Sequence, residues 1–269
     1  MANQRLENVK NIIAVASGKG GVGKSTVAAN IALSLQQLGN KVGILDADIY
    51  GPSIPTLFGL KDKQPVVDPE KRKLLPLEKF NLKIMSIGFM MRETDAVVWR
   101  GPMIHKMLQQ FLEDVDWGEL DYLIIDLPPG TGDAQLSLSQ LIPISGAVIV
   151  TTPQDLALAD AVRGIAMFQK VGVPVIGVIE NMSYFECPHC HEKTEIFSHG
   201  GGKRKAEELK TNFLGEIPLD PKTREGSDLG KPIVVESLDN PQSIRFREIA
   251  ERIVMQSATV KDQKVNIQL

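Results

Sequence analysis

The chain is short of several things. Its 269 residues include two cysteines, too few for a disulfide framework. Basic charge is not in excess, with 30 Lys and Arg against 33 Asp and Glu, so the footprint of general nucleic-acid binding is missing. No apolar run approaches the roughly eighteen residues of a membrane-spanning helix. The opening stretch, MANQRLENVK, has no apolar segment of a secretory signal. The expectation is a soluble, cytoplasmic protein with neither nucleic acid nor membrane among its partners. Internal repeats, low-complexity tracts and an interdomain linker are also absent. Residues 1–269 therefore read as one domain, whose 43% hydrophobic content supplies a sizeable core.

What is present is alternation. Short, β-branched apolar runs bounded by Gly, Pro or Asp occur at 11–17, 41–48, 83–89, 122–128, 146–153, 174–181 and 213–220. Helical patterns fall at 24–38, 102–112, 133–141, 156–170, 203–210 and 241–255. Strands alternating with helices specify an α/β three-layer sandwich: a mostly parallel sheet of about seven to eight strands covered by helices on both faces. Residues 49–78 read as a long surface excursion, 183–202 as a loop holding the cysteines and three of the four histidines, and the residues from Ser257 as a frayed polar tail. The 243–254 segment carries Arg245, Arg247 and Arg252 but also Glu248 and Glu251, and reads as a helix packed on the sheet rather than on a membrane.

Directly after the first strand, Gly18 to Ser25 fits G-x-x-x-x-G-K-[ST], the phosphate-binding P-loop, with a strand before it and a helix after it. Backbone N–H groups must close around phosphate oxygens, which glycines permit, and the helix N-terminus adds its positive end. Gly18, Lys19, Gly20, Gly21, Val22 and Gly23 form the cradle, Lys24 reaches the β and γ phosphates, the Ser25 hydroxyl ligates Mg²⁺, and Thr26 holds the α phosphate. Asp126 ends the run LIID, where a carboxylate at a strand's C-terminal edge orients Mg²⁺ through water. Gly130 lies where a γ-phosphate-sensing switch belongs, and Asp133 reads as the cap of the next helix. The second strand ends in Asp46-Ala-Asp48, and alternation would put both carboxylates on one side; Asp46 is assigned to the outer shell of the magnesium. Asn181 can donate to and accept from an adenine edge, and the guanine-selecting N-K-x-D is absent.

The second lysine, in K-G-G-V-G-K-S, resembles the deviant P-loop of the MinD/ParA and nitrogenase iron-protein group. That resemblance implies ATP-sandwiched homodimers in which Lys19 crosses to the partner's phosphates, Asp48 orients the attacking water, and Asn181 and the backbone around Pro218 hold adenine.

The cysteines, Cys187 and Cys190, stand in C-P-H-C-H. This matches a c-type haem attachment site, but such attachment follows export. It also matches a thioredoxin-type pair, but no strong helix follows. Metal binding from a tight knuckle fits better, and two thiolates are half of a four-ligand set. His189, His191 or His199 completes a Cys₂His₂ zinc site within one chain, or a second chain donates its own pair across a two-fold axis, giving Cys₄ ligation of zinc or a [4Fe–4S] cluster.

The deviant P-loop, D-A-D-I-Y-G-P-S from Asp46, W-R-G-P-M from Trp99, D-L-P-P-G-T-G-D from Asp126 and Y-F-E-C-P-H-C from Tyr184 together resemble the Mrp/ApbC family of ATP-dependent iron–sulfur cluster carriers. The resemblance implies a slow Mg-dependent ATPase. Its homodimer would hold a labile [4Fe–4S] cluster between the Cys187 and Cys190 pairs and pass it to apo iron–sulfur proteins, with a cluster-assembly scaffold as a further partner. The alternative is a regulatory or positioning ATPase of the MinD/ParA type whose dimer is stapled by zinc. Trp99 to Met103 and His105 are expected to serve packing.

Overall fold

The structure, a computed structural model, describes residue 6, residues 8–90 and residues 101–267, without the side chains of 101–105, 133–134 and 260–267. In chain order the elements are β1 (Val9–Ala16), α1 (Lys24–Gln37), β2 (Val42–Asp46), α2 (Ile54–Leu57), β3 (Val67–Asp68), β4 (Lys73–Leu74), β5 (Leu77–Lys79) and β6 (Leu82–Ser86). A 3₁₀ turn (Ile87–Met90) follows, then α3 (Gly101–Glu113), β7 (Leu120–Asp126), α4 (Asp133–Leu141), β8 (Gly146–Thr151), α5 (Asp155–Lys170) and β9 (Val175–Glu186). The chain closes with β10 (Lys193–Thr194), α6 (Gly201–Glu208), β11 (Phe213–Leu219), α7 (Pro221–Asp228), α8 (Ile233–Glu236) and α9 (Pro241–Ile267).

Seven strands, each within or overlapping one of the apolar runs, build a parallel sheet in the order β11-β9-β8-β1-β7-β2-β6. Two short antiparallel strands bring the sheet to nine: β5 pairs with β6 at one edge, and β10 pairs with the last residues of β9. Strand β8 pairs with β9 only as far as Glu180, whereas β11 follows β9 to Phe185. Strand β10 therefore takes up the edge of β9 that β8 leaves. Ile13, Ala14, Ile44, Leu45, Leu123, Ile124, Ala147 and Val148 are buried at the sheet's centre, the pattern of strands covered on both faces. Helix α1 is buried on nearly every side, from Val27 to Leu35, because it lies between the central strands and α9. Helix α9 packs through Phe246, Ile249, Ala250 and Ile253, as expected of a sheet-packed helix. No helix among the described residues is long and apolar enough to cross a membrane.

Four expectations are corrected. The excursion at 49–78 contains α2 and the β3–β4 hairpin, both too short for periodicity to reveal. The loop beginning at Ser183 starts later, because β9 continues to Glu186. Residues from Ser257 are helical to Ile267 rather than frayed: Ser257 is buried and its hydroxyl donates to the Ile253 carbonyl at 2.6 Å. Helix α4 begins at Asp133, with Gly132 as its N-cap. Trp99 and Arg100 lie outside the described residues.

Candidate functional site: a nucleotide cradle and a cysteine knuckle

Strand β1 lies between β7 and β8, and the P-loop leaves its C-terminal end, where ligands bind to open α/β sheets. Two close approaches shape the loop. A side chain at Gly18 would place its Cβ 2.3 Å from the Asp160 carbonyl, so the loop lies flat against α5. Gly23 has φ of 79°, and a Cβ there would meet the Asn181 side-chain nitrogen at 2.4 Å. Buried Val22 pins the loop's middle, and Asn181 Nδ2 donates to the Val22 carbonyl at 2.8 Å.

The register of parallel β2 and β7 sets Asp46 beside Asp126, both fully buried. Lys24, also buried, donates to Asp126 Oδ1 and lies 3.4 Å from Asp48 Oδ2. Among the described residues the other Asp126 oxygen, Oδ2, is buried without a donor in hydrogen-bonding geometry, although the Ser25 hydroxyl stands near the carboxylate. Burial pushes Asp126 above the usual carboxylate range against the pull of Lys24. Asp46 is pushed up to about 7, first by burial and then by the Asp126 charge.

Asp46 and Asp48 do not face the same side, contrary to the expectation from alternation. Strand β2 stops at Asp46, so alternation no longer applies two residues on. Asp46 accepts from Ile54 N (3.1 Å), Asp48 N (3.1 Å) and the Ser86 hydroxyl (2.9 Å), and it stands behind Asp48 rather than at the cavity. Asp48 accepts from Tyr50 N and Gly51 N and faces the P-loop.

A cavity of about 400 Å³ is lined by Lys19, Gly20, Gly21, Gly23, Lys24, Ser25, Thr26 and Asp48, with Ser53 and Pro129 among its walls. The Asp126 Oδ2 beneath it and the Ser25 hydroxyl on its wall are oxygen donors of the kind that suits Mg²⁺. Lys19 is half-buried, 3.5 Å from Gln154 Oε1. The Gly130 N–H donates to the Ser17 carbonyl at 2.9 Å, tying the segment after β7 to the start of the loop. Next to this cavity lies a second, of about 360 Å³, lined by Gly23, Thr26, Asn181, Met182, Ile217, Pro218, Arg224, Asp228 and Phe246. It places Asn181 and Pro218 together. Sequence reasoning missed its other wall, α7, although Asp220-Pro221 is a helix-start signal: Asp220 accepts from Lys222 N at 2.8 Å.

The cysteines sit at the turn between β9 and β10. Cys187 N donates to the Glu192 carbonyl at 3.0 Å and His191 N to the Cys187 carbonyl at 2.9 Å, closing a tight knuckle with His191 at φ of 59°. The backbone N–H groups of Cys190 and His189 point at the Cys187 sulfur and pull its thiol below the usual range. Cys190 is exposed. Among the described residues no histidine joins either cysteine in a group of three potential ligands. His191 Nδ1 lies 3.3 Å from Glu186, and His199 Nε2 lies 2.8 Å from Glu216. Among the described residues, the group of three potential metal ligands found within 4.8 Å of one another is Glu180, His199 and Glu216, without either cysteine. Glu180 is already filled by Ser183 and by the N–H groups of Gly200 and Gly202.

Residues 8–254 match the family model described as ParA: NUBPL iron-transfer P-loop NTPase. The iron-sulfur cluster transfer protein NUBPL of Dictyostelium discoideum is 50% identical over 259 residues, covering 96% of this chain and 80% of that protein. The iron-sulfur cluster carrier protein of Aquifex aeolicus is 52% identical over 264 residues, covering 98% and 71%. The solved structure of the nucleotide-binding protein from Archaeoglobus fulgidus in complex with ADP has a TM-score of 0.78 and 45% identity, covering 90% of this chain and 94% of that one. The chain belongs to the iron-transfer P-loop NTPases.

Proposed function

We propose that this member of the iron-transfer P-loop NTPases is an ATP-hydrolysing iron–sulfur cluster carrier. Two copies of the single-domain chain hold a labile [4Fe–4S] cluster between their Cys187 and Cys190 pairs and deliver it to apo iron–sulfur proteins of the cytoplasm, a cluster-assembly scaffold being a further partner. The observation that carries the reading is the pairing, in one chain, of a nucleotide cradle rich in donors with a two-thiol knuckle that gathers no third ligand from the described residues of its own chain. A second chain is the simplest source of the other two thiolates.

At the nucleotide site, the N–H groups of the Gly18–Ser25 loop bind phosphate oxygens while Lys24 exchanges Asp126 and Asp48 for the β and γ phosphates. Ser25 and Asp126 would hold Mg²⁺, which would supply charge neutralisation at the phosphates. Freed of Lys24, Asp48 orients the attacking water, and Asp46, with its three donors, fixes where Asp48 stands. Asn181 trades the Val22 carbonyl for the adenine edge, with Pro218 opposite. Lys19 leaves Gln154 for the partner's phosphates. Turnover is slow until that lysine arrives, because the isolated site offers few cations to the transition state.

The test is anaerobic reconstitution with iron and sulfide of the wild type and Cys190→Ala. About one four-iron cluster per two wild-type chains is expected, and none in the variant. Stable zinc with no iron uptake by the wild type would overturn the carrier reading in favour of a zinc-stapled dimer.

A further inference from the structure

The phosphate-side and base-side cavities overlap, and the residues they share are Gly23, Thr26, Ser227 and Asp228. In a nucleoside triphosphate the sugar joins the base to the phosphates, so the residues common to both cavities are those that meet the ribose. Three of the four lack a charged acceptor for its hydroxyl protons. Gly23 has no side chain, Thr26 is assigned to the α phosphate, and the Ser227 hydroxyl donates its proton to the Thr223 carbonyl at 2.7 Å. On the base-side wall alone, Thr223 donates to Gln242, Gln242 to the Pro218 carbonyl, and Asp220 caps α7 through one of its oxygens.

Asp228 differs. One of its oxygens, Oδ2, accepts from Arg224 Nη1 at 2.8 Å, one helical turn back on α7. For Oδ1 no hydrogen bond is seen among the described residues, and the side chain is 63% exposed. An acceptor-only group with one oxygen anchored and the other open is suited to receive hydroxyl protons, as an acidic residue does for ribose in dinucleotide-binding folds. We infer that Asp228 is the sugar-reading residue of the nucleotide site, accepting from a ribose hydroxyl while Arg224 holds the carboxylate in place. The inference rests on the nucleotide reading above and adds a preference for ribonucleotides over deoxyribonucleotides.

The experiment is equilibrium binding of ATP, 2′-deoxy-ATP and 3′-deoxy-ATP to the full chain and to Asp228→Ala. The readout is the ratio of deoxy to ribo dissociation constants within each protein. That ratio cancels any general effect of removing a negative charge near the triphosphate. In the wild type at least one deoxy analogue is expected to bind on the order of tenfold more weakly than ATP, the loss of one hydrogen bond to a charged acceptor. In Asp228→Ala the ratio should fall to about one, with thermal unfolding reporting an unchanged fold for this exposed site. Equal binding of all three nucleotides by the wild type, or a ratio that survives in the variant, would overturn the inference while leaving the nucleotide site standing. Binding of none of them by the wild type would instead sink the nucleotide reading and this inference with it.

Discussion

The P-loop and the cysteine knuckle are built in opposite ways. The P-loop is held from every side: Gly18 lies against α5, Val22 is buried, Asn181 reaches in from β9, and Lys24 is held between two carboxylates. The knuckle hangs at the end of β9 beyond β8, secured by a two-residue strand and a few backbone hydrogen bonds, with Cys190 open to solvent. The difference teaches what each site waits for. On the proposed reading, the nucleotide site stores its charge internally, and phosphates replace Asp126 and Asp48 at its lysine. On that reading the knuckle stores nothing and takes its further ligands from another molecule.

The largest effects should come from crossing the two sites. Lys24→Gln is expected to abolish detectable nucleotide binding, a loss of about hundredfold or more, while retaining iron uptake on anaerobic reconstitution. Cys190→Ala should lose the iron and keep the nucleotide. Binding measurements and iron analysis on both variants check this, and a variant that loses both ligands while remaining folded would erase the contrast.

A smaller effect concerns the buried carboxylates. Asp46 is raised to about 7, and Asp126 is raised too, so the folded state keeps protons that the unfolded chain releases near pH 4. The unfolded chain then binds fewer protons, and stability falls as pH rises from about 4 through about 7, where Asp46 gives up its proton. Asp116 and Asp121 are lowered by hydrogen bonds from Lys71 and Lys10, and their opposite influence is confined to more acidic pH, where stability is lost as they protonate. The urea midpoint of the nucleotide-free protein should therefore be lower at pH 8 than at pH 5, and Asp46→Asn should narrow the gap. An unchanged gap in the variant would remove Asp46 as the source.

The smallest effect is expected at His199. Its partly exposed pair with Glu216 contributes on the order of 1 kcal/mol at most. His199→Ala should lower thermal stability slightly and leave metal content unchanged. Loss of metal in this variant would restore the one-chain Cys₂His₂ arrangement.

Much of this was legible in the residues, and the failures have physical causes. The seven parallel strands could be read because strands buried on both faces are apolar throughout, as in Ile12–Ala16 or Leu123–Ile125. The P-loop could be read because its chemistry admits few residue types at fixed spacing. Helix α7 was missed because its residues, Pro221 to Asp228, are nearly all polar and bury little besides Gly226. The 241–255 pattern ended early because the polar residues beyond Met255 hide a helix that runs on to Ile267. Asp46 and Asp48 were paired by strand alternation, a rule that lapses where the strand ends. His199 was grouped with the cysteines by sequence proximity, yet the fold carries it to Glu216 on β11.

Strand β9 makes the spacing between Asn181 and Cys187 a matter of counting. Between Asn181 and Phe185 the strand is irregular, with Met182 at φ of 56°, but at Phe185 β11 and β10 hold its two edges. One residue inserted after Phe185 would advance the knuckle by about 3.3 Å and turn its side chains to the opposite face. Any cargo gripped by two copies of the chain would meet that error from both sides at once.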